Sequence, residues 1–171
     1  MTYELRPHTA DVAVAATGAD LGETFAAVAD GLAAATCDDI PETGERFSLS
    51  VRAEGLEALL FDYLDRLIYE RDVRGVLPVA NEATVREDDG EWVVEASARG
   101  VPFADVTARD VKAVTYSEMR IEEREKPRSP GDGESGLSRA TGEAGADRTE
   151  PGDGRPEADD GGWEAYVVLD V

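Results

Sequence analysis

A 37-residue segment without an aromatic residue divides this chain into two patterned parts. Residues 126–162 contain nine glycines and four prolines, and Leu137 is their one large aliphatic residue. Such a segment cannot bury enough apolar surface to offset the entropy that ordering would cost. Hydrophobic patterning resumes at Trp163, so the last nine residues have to rejoin a fold built by the first 125. We therefore predict one domain over residues 1–171, with a disordered acidic insertion at residues 126–162.

The composition limits the classes of protein to which the chain can belong. Its 171 residues are 42% hydrophobic, enough for the core of one domain. The single cysteine, Cys37, excludes an internal disulfide, and the single histidine, His8, excludes a zinc site built from histidines of this chain. No stretch approaches the roughly 20 apolar residues of a membrane span, and no signal peptide opens the sequence. We expect a soluble cytoplasmic protein that does not associate with membranes.

The chain is strongly acidic, with 17 Lys and Arg against 38 Asp and Glu and a formal net charge of −21. Proteins hold nucleic acids mainly through cations that meet phosphates, so no direct nucleic-acid binding is expected. Lys112 and Lys126 are the two lysines, and the other basic residues are arginines. Scarce lysine with abundant carboxylate indicates a halophilic protein, because concentrated salt screens the self-repulsion. We attribute the acidity to the solvent rather than to an acidic functional patch.

Hydrophobic periodicity predicts an α+β fold. Apolar residues at helical spacing predict a first helix from Leu21 to about residue 35, with Asp20 before its first turn. A longer apolar stripe starts at Leu56 and predicts a second helix that ends just before Gly75. Pro7 favours a loop after the first strand. Strands are predicted at residues 3–5, 12–15, 47–51, 83–86, 92–98, 111–121 and 163–171, with a turn at residues 88–90.

Carboxylates beside two strands are candidate ligands for a cation. Asp11 follows a short loop that also contains His8, and loop carboxylates held by a sheet often bind or catalyse. The alternative is that Asp11 caps a turn and His8 makes a local hydrogen bond, and the tetrapeptide alone favours this alternative. Near the other end, Asp170 offers a side-chain carboxylate and Val171 an α-carboxylate. The residues alone leave open whether these three groups meet in the fold. Three such groups together would need protons, salt or a cation to offset their repulsion, and Ca²⁺ or Mg²⁺ suits oxygen ligands best.

Other chemistry-bearing residues give weaker indications. Lys112 lies in an apolar strand pattern, where its point charge could meet a partner carboxylate or a phosphate, although an outward-facing lysine is the commoner case. Cys37 follows a run of small residues and is interpreted as a buried filler, since no histidine stands nearby to activate it. Gly131-Asp132-Gly133 falls inside the insertion, so it is neither a dinucleotide fingerprint nor a P-loop.

Four blocks of the sequence together resemble the archease family. The pairing of a His-Thr-Ala-Asp opening with a Lys-Ala-Val-Thr-Tyr block and a penultimate aspartate is specific, and the match covers nearly all of the chain outside residues 126–162. Family members usually have a short turn in place of that insertion. The blocks are Tyr3-Glu4-Leu5 with Pro7-His8-Thr9-Ala10-Asp11-Val12, then Glu57-Ala58-Leu59-Leu60-Phe61-Asp62-Tyr63-Leu64, then Val111-Lys112-Ala113-Val114-Thr115-Tyr116, and finally Trp163 with Val168-Leu169-Asp170-Val171.

The resemblance implies a fold and a metal site. The implied fold is a two-layer α+β sandwich in which two main helices pack on a mixed β-sheet. In the implied metal pocket, Asp11 and Asp170 supply side-chain oxygens and Val171 supplies a main-chain or terminal oxygen. The implied cofactor is a divalent cation, Ca²⁺ first, with Mg²⁺ or Mn²⁺ as alternatives. Lys112 and His8 are expected to be needed for activity.

The function that the resemblance implies is that of an accessory protein. Archeases promote guanylylation of the active-site histidine of the GTP-dependent tRNA-splicing RNA ligase and let that ligase turn over repeatedly. The expected partner is therefore the ligase, and the chain itself is expected not to be an enzyme. The alternatives are a stand-alone metal-dependent phosphoester hydrolase that uses the same carboxylates and a general chaperone-like module. The sequence disfavours the hydrolase, because it shows no evident nucleophile–base pair and little basic surface to hold a phosphate.

Overall fold

The computed structural model describes residues 1–8, 11–108, 111–125 and 161–170. At residues 6–8, 11 and 117 it describes the backbone alone. Most of the predicted insertion, residues 126–160, lies outside these ranges, and so do Thr9, Ala10 and Val171. The predictions of a disordered insertion and of a terminal ligand at Val171 therefore fall on residues that are not described. No helix in the described part of the chain combines the length and the apolar character that a membrane crossing needs.

Two long helices and seven strands make up the described part of the chain. A 3₁₀ turn, Phe103–Asp105, follows the fifth strand. In chain order the elements are β1 (Thr2–His8), β2 (Asp11–Gly18), α1 (Leu21–Thr36), β3 (Glu45–Ala53), α2 (Leu56–Arg74), β4 (Val76–Asp88), β5 (Glu91–Pro102), β6 (Ala113–Arg124) and β7 (Gly162–Asp170).

The strands form two sheets, one in the order β1-β2-β7-β6 and the other in the order β3-β5-β4. Every pairing between described strands is antiparallel. The α+β class with two main helices is confirmed, and two antiparallel sheets stand where we expected one mixed sheet. The turn at Asp89 and Gly90 accounts for the β4–β5 pair alone, because a strand that returns through two residues can pair only antiparallel. Both turn residues have positive φ, 53° and 83°, as such a hairpin requires.

Helix α1 is buried along most of its length, and small residues allow the strands to approach it. Gly31 lies against Val14 of β2, where an added Cβ would come 2.4 Å from a Val14 methyl carbon. Asp20 caps the helix as predicted, because its Oδ1 accepts a hydrogen bond of 2.8 Å from the Glu23 N–H. Cys37, at the other end of α1, is 4% exposed, which confirms that it is a buried filler.

Helix α2 is amphipathic, as its sequence predicts. Its apolar stripe is buried, and Tyr69 and Val73 on the other side are more than half exposed. Gly75 ends the helix with φ of 66°, and its N–H donates to the Arg71 carbonyl at 2.9 Å. This left-handed residue is the C-cap that the sequence indicated.

One hydrophobic cluster joins both sheets to both helices. Its fully buried members include Val14 and Val167 from one sheet, Val94 from the other, Phe25 from α1 and Leu60 from α2. Helix α1 contacts β2 and β4, and α2 contacts β3 and β6, so each helix touches strands of both sheets. The strand ends described below therefore project from a common packed core.

Several expectations about element boundaries are wrong, and two of them concern Pro7 and Gly162. Pro7 does not begin a loop, since β1 continues through Pro7 to His8. The strand tolerates proline because β1 is at the edge of its sheet, where an absent N–H breaks no ladder. Gly162, which we assigned to the insertion, is the first residue of β7. It lies so close to Gly18 that an added Cβ would come 2.3 Å from the Gly18 carbonyl oxygen.

Candidate metal centre

The position of β7 between β2 and β6 brings the two ends of the sequence together. Asp11, the first residue of β2, is the direct register partner of Asp170, the last residue of β7. His8 of β1 is opposite Asp11, and Ala113 of β6 is opposite Asp170. These four residues form one row across the sheet, which we call the carboxylate row. The two predicted aspartate ligands are therefore nearest cross-strand neighbours.

The carboxylate row belongs to the face of the sheet opposite the one that packs into the main hydrophobic cluster. Leu169 is fully buried in the core cluster and is the register partner of Val12. Because successive residues of a strand alternate between faces, Asp11 and Asp170 belong to the opposite face. Asp170 is exposed, so ions and partner groups in solution can reach it.

Lys112 is held next to the carboxylate row by its backbone. Its N–H donates a hydrogen bond of 2.8 Å to the main-chain carbonyl oxygen of Asp170. The residue itself is exposed and directly precedes β6. The structure therefore brings the predicted residue Lys112 to Asp170, with its side chain accessible to solvent.

The donor set suits a hard cation. Asp11 and Asp170 are carboxylates, and small hard ions such as Ca²⁺ and Mg²⁺ prefer oxygen ligands. Two opposed aspartates on one face also repel each other unless a proton or a cation offsets their charge. The residues present thus fit a divalent cation by their chemistry and by their register.

The predicted ligand set includes residues whose side chains the structure does not describe. Among the side chains that the structure describes, no three of His, Cys, Asp and Glu come close enough to hold a metal ion. The side chains of His8 and Asp11 and the whole of Val171 lie outside that set. Coordination by Asp11, Asp170 and Val171 therefore stays a prediction.

An aromatic pair connects β6 to α2 beyond Lys112. The Tyr116 ring stacks on the Phe61 ring of α2, with centroids 4.1 Å apart and planes 7° from parallel. Tyr116 is nonetheless 55% exposed. Its partial removal from water, and to a lesser extent the Asp62 carboxylate, raise the pKa of the Tyr116 hydroxyl. The phenol is thus a neutral hydrogen-bonding group near neutral pH.

Sequence reasoning did not find Arg71, a buried cation that reaches the segment before β6. Its Nη1 donates a hydrogen bond of 2.8 Å to the carbonyl oxygen of Val111, 40 residues further along the chain. The signal was present, because Arg71 continues the buried stripe of α2 one turn after Leu67. A charged residue at such a position needs a buried partner, but helical spacing does not say which one.

Comparisons with known proteins agree on one family. The sequence model of the Archease protein family (MTH1598/TM1083) matches residues 3–171. The chain is 30% identical over 125 residues to protein archease of Pyrococcus furiosus, and the match covers 70% of this chain and 87% of that protein. It is 33% identical over 124 residues to protein archease of Thermococcus gammatolerans, with the same coverage of 70% and 87%.

Solved structures show the same fold. The solution structure of Methanobacterium thermoautotrophicum protein 1598 superposes with a TM-score of 0.67 at 23% identity, covering 99% of this chain and 98% of that one. A Thermotoga maritima crystal structure, described as an archease and possible chaperone, superposes with a TM-score of 0.51 at 18% identity, covering 97% and 96%. The two structures support the fold, and the family match with the sequence relatives establishes that the chain belongs to the archease family.

Proposed function

We propose that this chain is an accessory activator of the GTP-dependent tRNA-splicing RNA ligase. In this role it promotes guanylylation of the ligase histidine and repeated turnover during tRNA splicing and maturation. Membership of the archease family supports the class of function. The observation that carries the proposed site is the direct register pairing of Asp11 with Asp170. The chain would act as a protein cofactor of the ligase rather than as an enzyme.

Asp11 and Asp170, with a main-chain or terminal oxygen of Val171, would hold a divalent cation. Ca²⁺ is favoured by an all-oxygen ligand set, with Mg²⁺ and Mn²⁺ as alternatives. When bound, the cation would supply the charge stabilisation that nucleotidyl transfer requires. The chain itself contributes rigid positions for the ligands, because β2 pairs with β7 continuously from Trp163 to Asp170. Such preorganisation lowers the entropy that binding would otherwise cost.

Lys112 and His8 are the remaining residues that we assign to activity. The exposed ammonium of Lys112 is a compact point charge, suited to a phosphate of the ligase-bound nucleotide or to a ligase carboxylate. His8 stands in the carboxylate row as the register partner of Asp11. Both residues would therefore act at the same end of the sheet as the cation.

The charge of the chain supports a protein as its direct target. With a formal net charge of −21, the chain repels RNA over most of its surface. A ligase that itself holds RNA carries cationic surface, which an acidic protein can approach. We infer a cytoplasmic encounter between two proteins, in which RNA is bound by the ligase alone.

The test is a guanylylation assay with purified ligase, GTP and a divalent cation at high salt, with and without this chain. We expect the wild-type chain to accelerate guanylylation and to support many ligations per ligase. Asp170→Asn should reduce cation affinity and this stimulation by about tenfold or more, because it removes one of few charged ligands. Glu164→Gln is the matched control, since Glu164 is an exposed acidic residue on the same strand, opposite Thr17 rather than Asp11.

The outcomes separate the proposal from the alternatives. No stimulation by the wild-type chain, or equal losses in Asp170→Asn and Glu164→Gln, would contradict the proposal. Hydrolysis of GTP or cleavage of RNA by the chain without ligase would favour the metal-dependent hydrolase. Protection of the ligase from aggregation without any change in guanylylation would favour a chaperone-like role.

A further inference from the structure

One peptide group is held from both sides beside the carboxylate row. The carbonyl oxygen of Val111 accepts a hydrogen bond of 2.8 Å from Nη1 of Arg71. The N–H of the same peptide group, that of Lys112, donates a hydrogen bond of 2.8 Å to the carbonyl oxygen of Asp170. The guanidinium of α2 is therefore connected to the last described residue of β7 through a single peptide plane.

The bond from Arg71 to the Val111 carbonyl oxygen is buried, and its burial makes it strong. Val111 is fully buried, and the Arg71 side chain is 10% exposed. A hydrogen bond from a charged donor is stronger than one between neutral groups, and low local polarity strengthens it further. A cation on the carbonyl oxygen also polarises the peptide, which makes its N–H a better donor to Asp170.

The side chain of Arg71 is itself fixed in orientation. Its Nε donates to Oδ1 of Asp72 at 3.0 Å while Nη1 holds the Val111 carbonyl. Its own carbonyl oxygen accepts the N–H of Gly75 at the end of α2. An arginine fork can make both side-chain bonds at once with a planar, preorganised group, whereas a lysine ammonium is a point donor.

From these contacts we propose that Arg71 is a positioning residue for the candidate metal centre. It holds the 111–112 peptide in the one orientation that directs the Lys112 N–H at Asp170, and so it fixes Lys112 and the end of β7 relative to each other. Residues near the end of a strand fray unless something holds them, and this connection restrains Asp170. The effect of Arg71 on cation binding and on the ligase rests on the proposed function, whereas its hold on the 111–112 peptide does not.

The neighbouring Arg74 provides a matched control. It belongs to the same last turn of α2, but it contacts Glu70 and lies over the ring of Phe47. Arg74→Met and Arg71→Met therefore remove the same charge and introduce the same side chain within the same last turn of α2. Arg71→Lys keeps the charge and removes the fork.

The first measurement is amide hydrogen exchange on the full chain by NMR. We expect Arg71→Met to accelerate exchange of the Lys112 N–H by about tenfold relative to the Val94 N–H of β5, because one of the two bonds on its peptide is gone. Arg71→Lys should accelerate it less, and Arg74→Met should not change the ratio. If Arg71→Met does not fold, the ratio in Arg71→Lys decides. An unchanged ratio in the folded Arg71 variants overturns the proposal.

The second measurement is calorimetric titration with Ca²⁺, together with stimulation of ligase guanylylation. We expect Arg71→Met to lower Ca²⁺ affinity and the maximal stimulation by about tenfold, with partial recovery in Arg71→Lys and wild-type values in Arg74→Met. A merely structural role would lower the thermal midpoint of Arg71→Met and leave the Ca²⁺ affinity and maximal stimulation of the folded protein intact, and that result overturns the positioning role. Failure of the wild-type chain to bind Ca²⁺ or to stimulate the ligase would instead overturn the proposed function.

Discussion

Glu70 shows how this acidic chain places a carboxylate on the buried side of a helix. Its side chain is 8% exposed, and Arg66 Nη2 lies 3.0 Å from its Oε1. Arg74 Nε donates to Oε2 from the next turn. The hydrogen bond from Arg74 is the main cause that holds the pKa of Glu70 below its ordinary value, while burial opposes the shift and Arg66 adds to it. The two half-exposed arginines thus cover Glu70 and keep it ionised.

We expect Glu70→Gln to lower the free energy of unfolding by about 1 kcal/mol at neutral pH, because both arginine partners are half exposed and partly screened. A lowered folded-state pKa gives stability that is present above the unfolded value of about 4.3 and is lost as the pH falls through the folded value. Urea unfolding of both proteins should therefore show a difference that shrinks as the pH falls from about 7 toward 3. A difference that is constant over this range would contradict the assignment.

Helical spacing predicts Glu70 outside the apolar stripe of α2, with Asp62, Asp65 and Arg66, and this prediction is wrong, because Glu70 is 6% exposed. The spacing also did not show what Glu70 or Arg71 contacts. The apolar stripe of α2 identified the core side of the helix, and both residues lie on or beside it. The partners of Glu70 are one turn away and can be found from the sequence. The partner of Arg71 is a backbone carbonyl 40 residues later, and no local pattern encodes that contact.

At the level of elements, β4 was the strand that sequence patterning described least well. We predicted only residues 83–86, whereas the strand spans Val76–Asp88. The register shifts between Val79 and Glu82, and Ala80 has φ of 48°. This irregularity turns Asn81 inward, where its N–H and its Nδ2 both donate to Oδ1 of Asp30 in α1. A buried polar residue at a bulge breaks the alternation on which strand prediction depends.

The start of β7 provides a prediction at the same scale. Gly162 has φ of 123°, which disfavours any other residue, and an added Cβ would also meet the Gly18 carbonyl oxygen at 2.3 Å. We expect Gly162→Ala to lower the free energy of unfolding by about 2 to 3 kcal/mol, measured by urea unfolding. Gly90→Ala is the matched control. Its φ is 83° and nothing lies within 4 Å of an added Cβ, so it should cost about 1 to 2 kcal/mol.

Equal losses in the two glycine variants would show that the close approach of β7 to Gly18 is not needed. The comparison also bears on the site, because the pairing of β7 with β2 runs from Trp163 opposite Gly18 to Asp170 opposite Asp11. A strand that starts at the correct register places its last residue in the carboxylate row.

At the scale of the whole molecule, the candidate site is a product of sheet order. Sequence patterning predicted strands beside Asp11 and Asp170, and alternation predicts which face each residue occupies. Neither pattern says that β7 pairs with β2, because neighbouring strands in a sheet need not be neighbours in sequence. Residue chemistry alone did not predict that Asp11 and Asp170 lie close together, whereas the resemblance to archeases implied it. The structure brings the two aspartates into register, while the role of Val171 stays a prediction.

The net charge also acts at the scale of the whole molecule. Several arginines on the β3-β5-β4 sheet already have acidic neighbours there, with Arg52 2.9 Å and Arg86 3.3 Å from the Asp88 carboxylate. Such local pairs leave the net charge of −21 unchanged, because the chain has 38 acidic and only 17 basic residues. The remaining carboxylates therefore repel one another through solvent, over a distance that the salt concentration sets.

We expect low salt to destabilise the fold. The Debye length grows from about 3 Å at 1 M salt to about 30 Å at 0.01 M, so repulsion that is local at high salt extends across the whole domain at low salt. Thermal unfolding followed by circular dichroism in increasing KCl should show a midpoint that rises steadily with salt. Asp170→Asn, titrated in parallel, separates screening from ion binding at the carboxylate row: general screening predicts the same slope for both proteins, and a site effect predicts a flatter one for the variant. A wild-type midpoint that is equal at both extremes would refute the halophilic interpretation, and the acidity of the surface would then require a functional explanation.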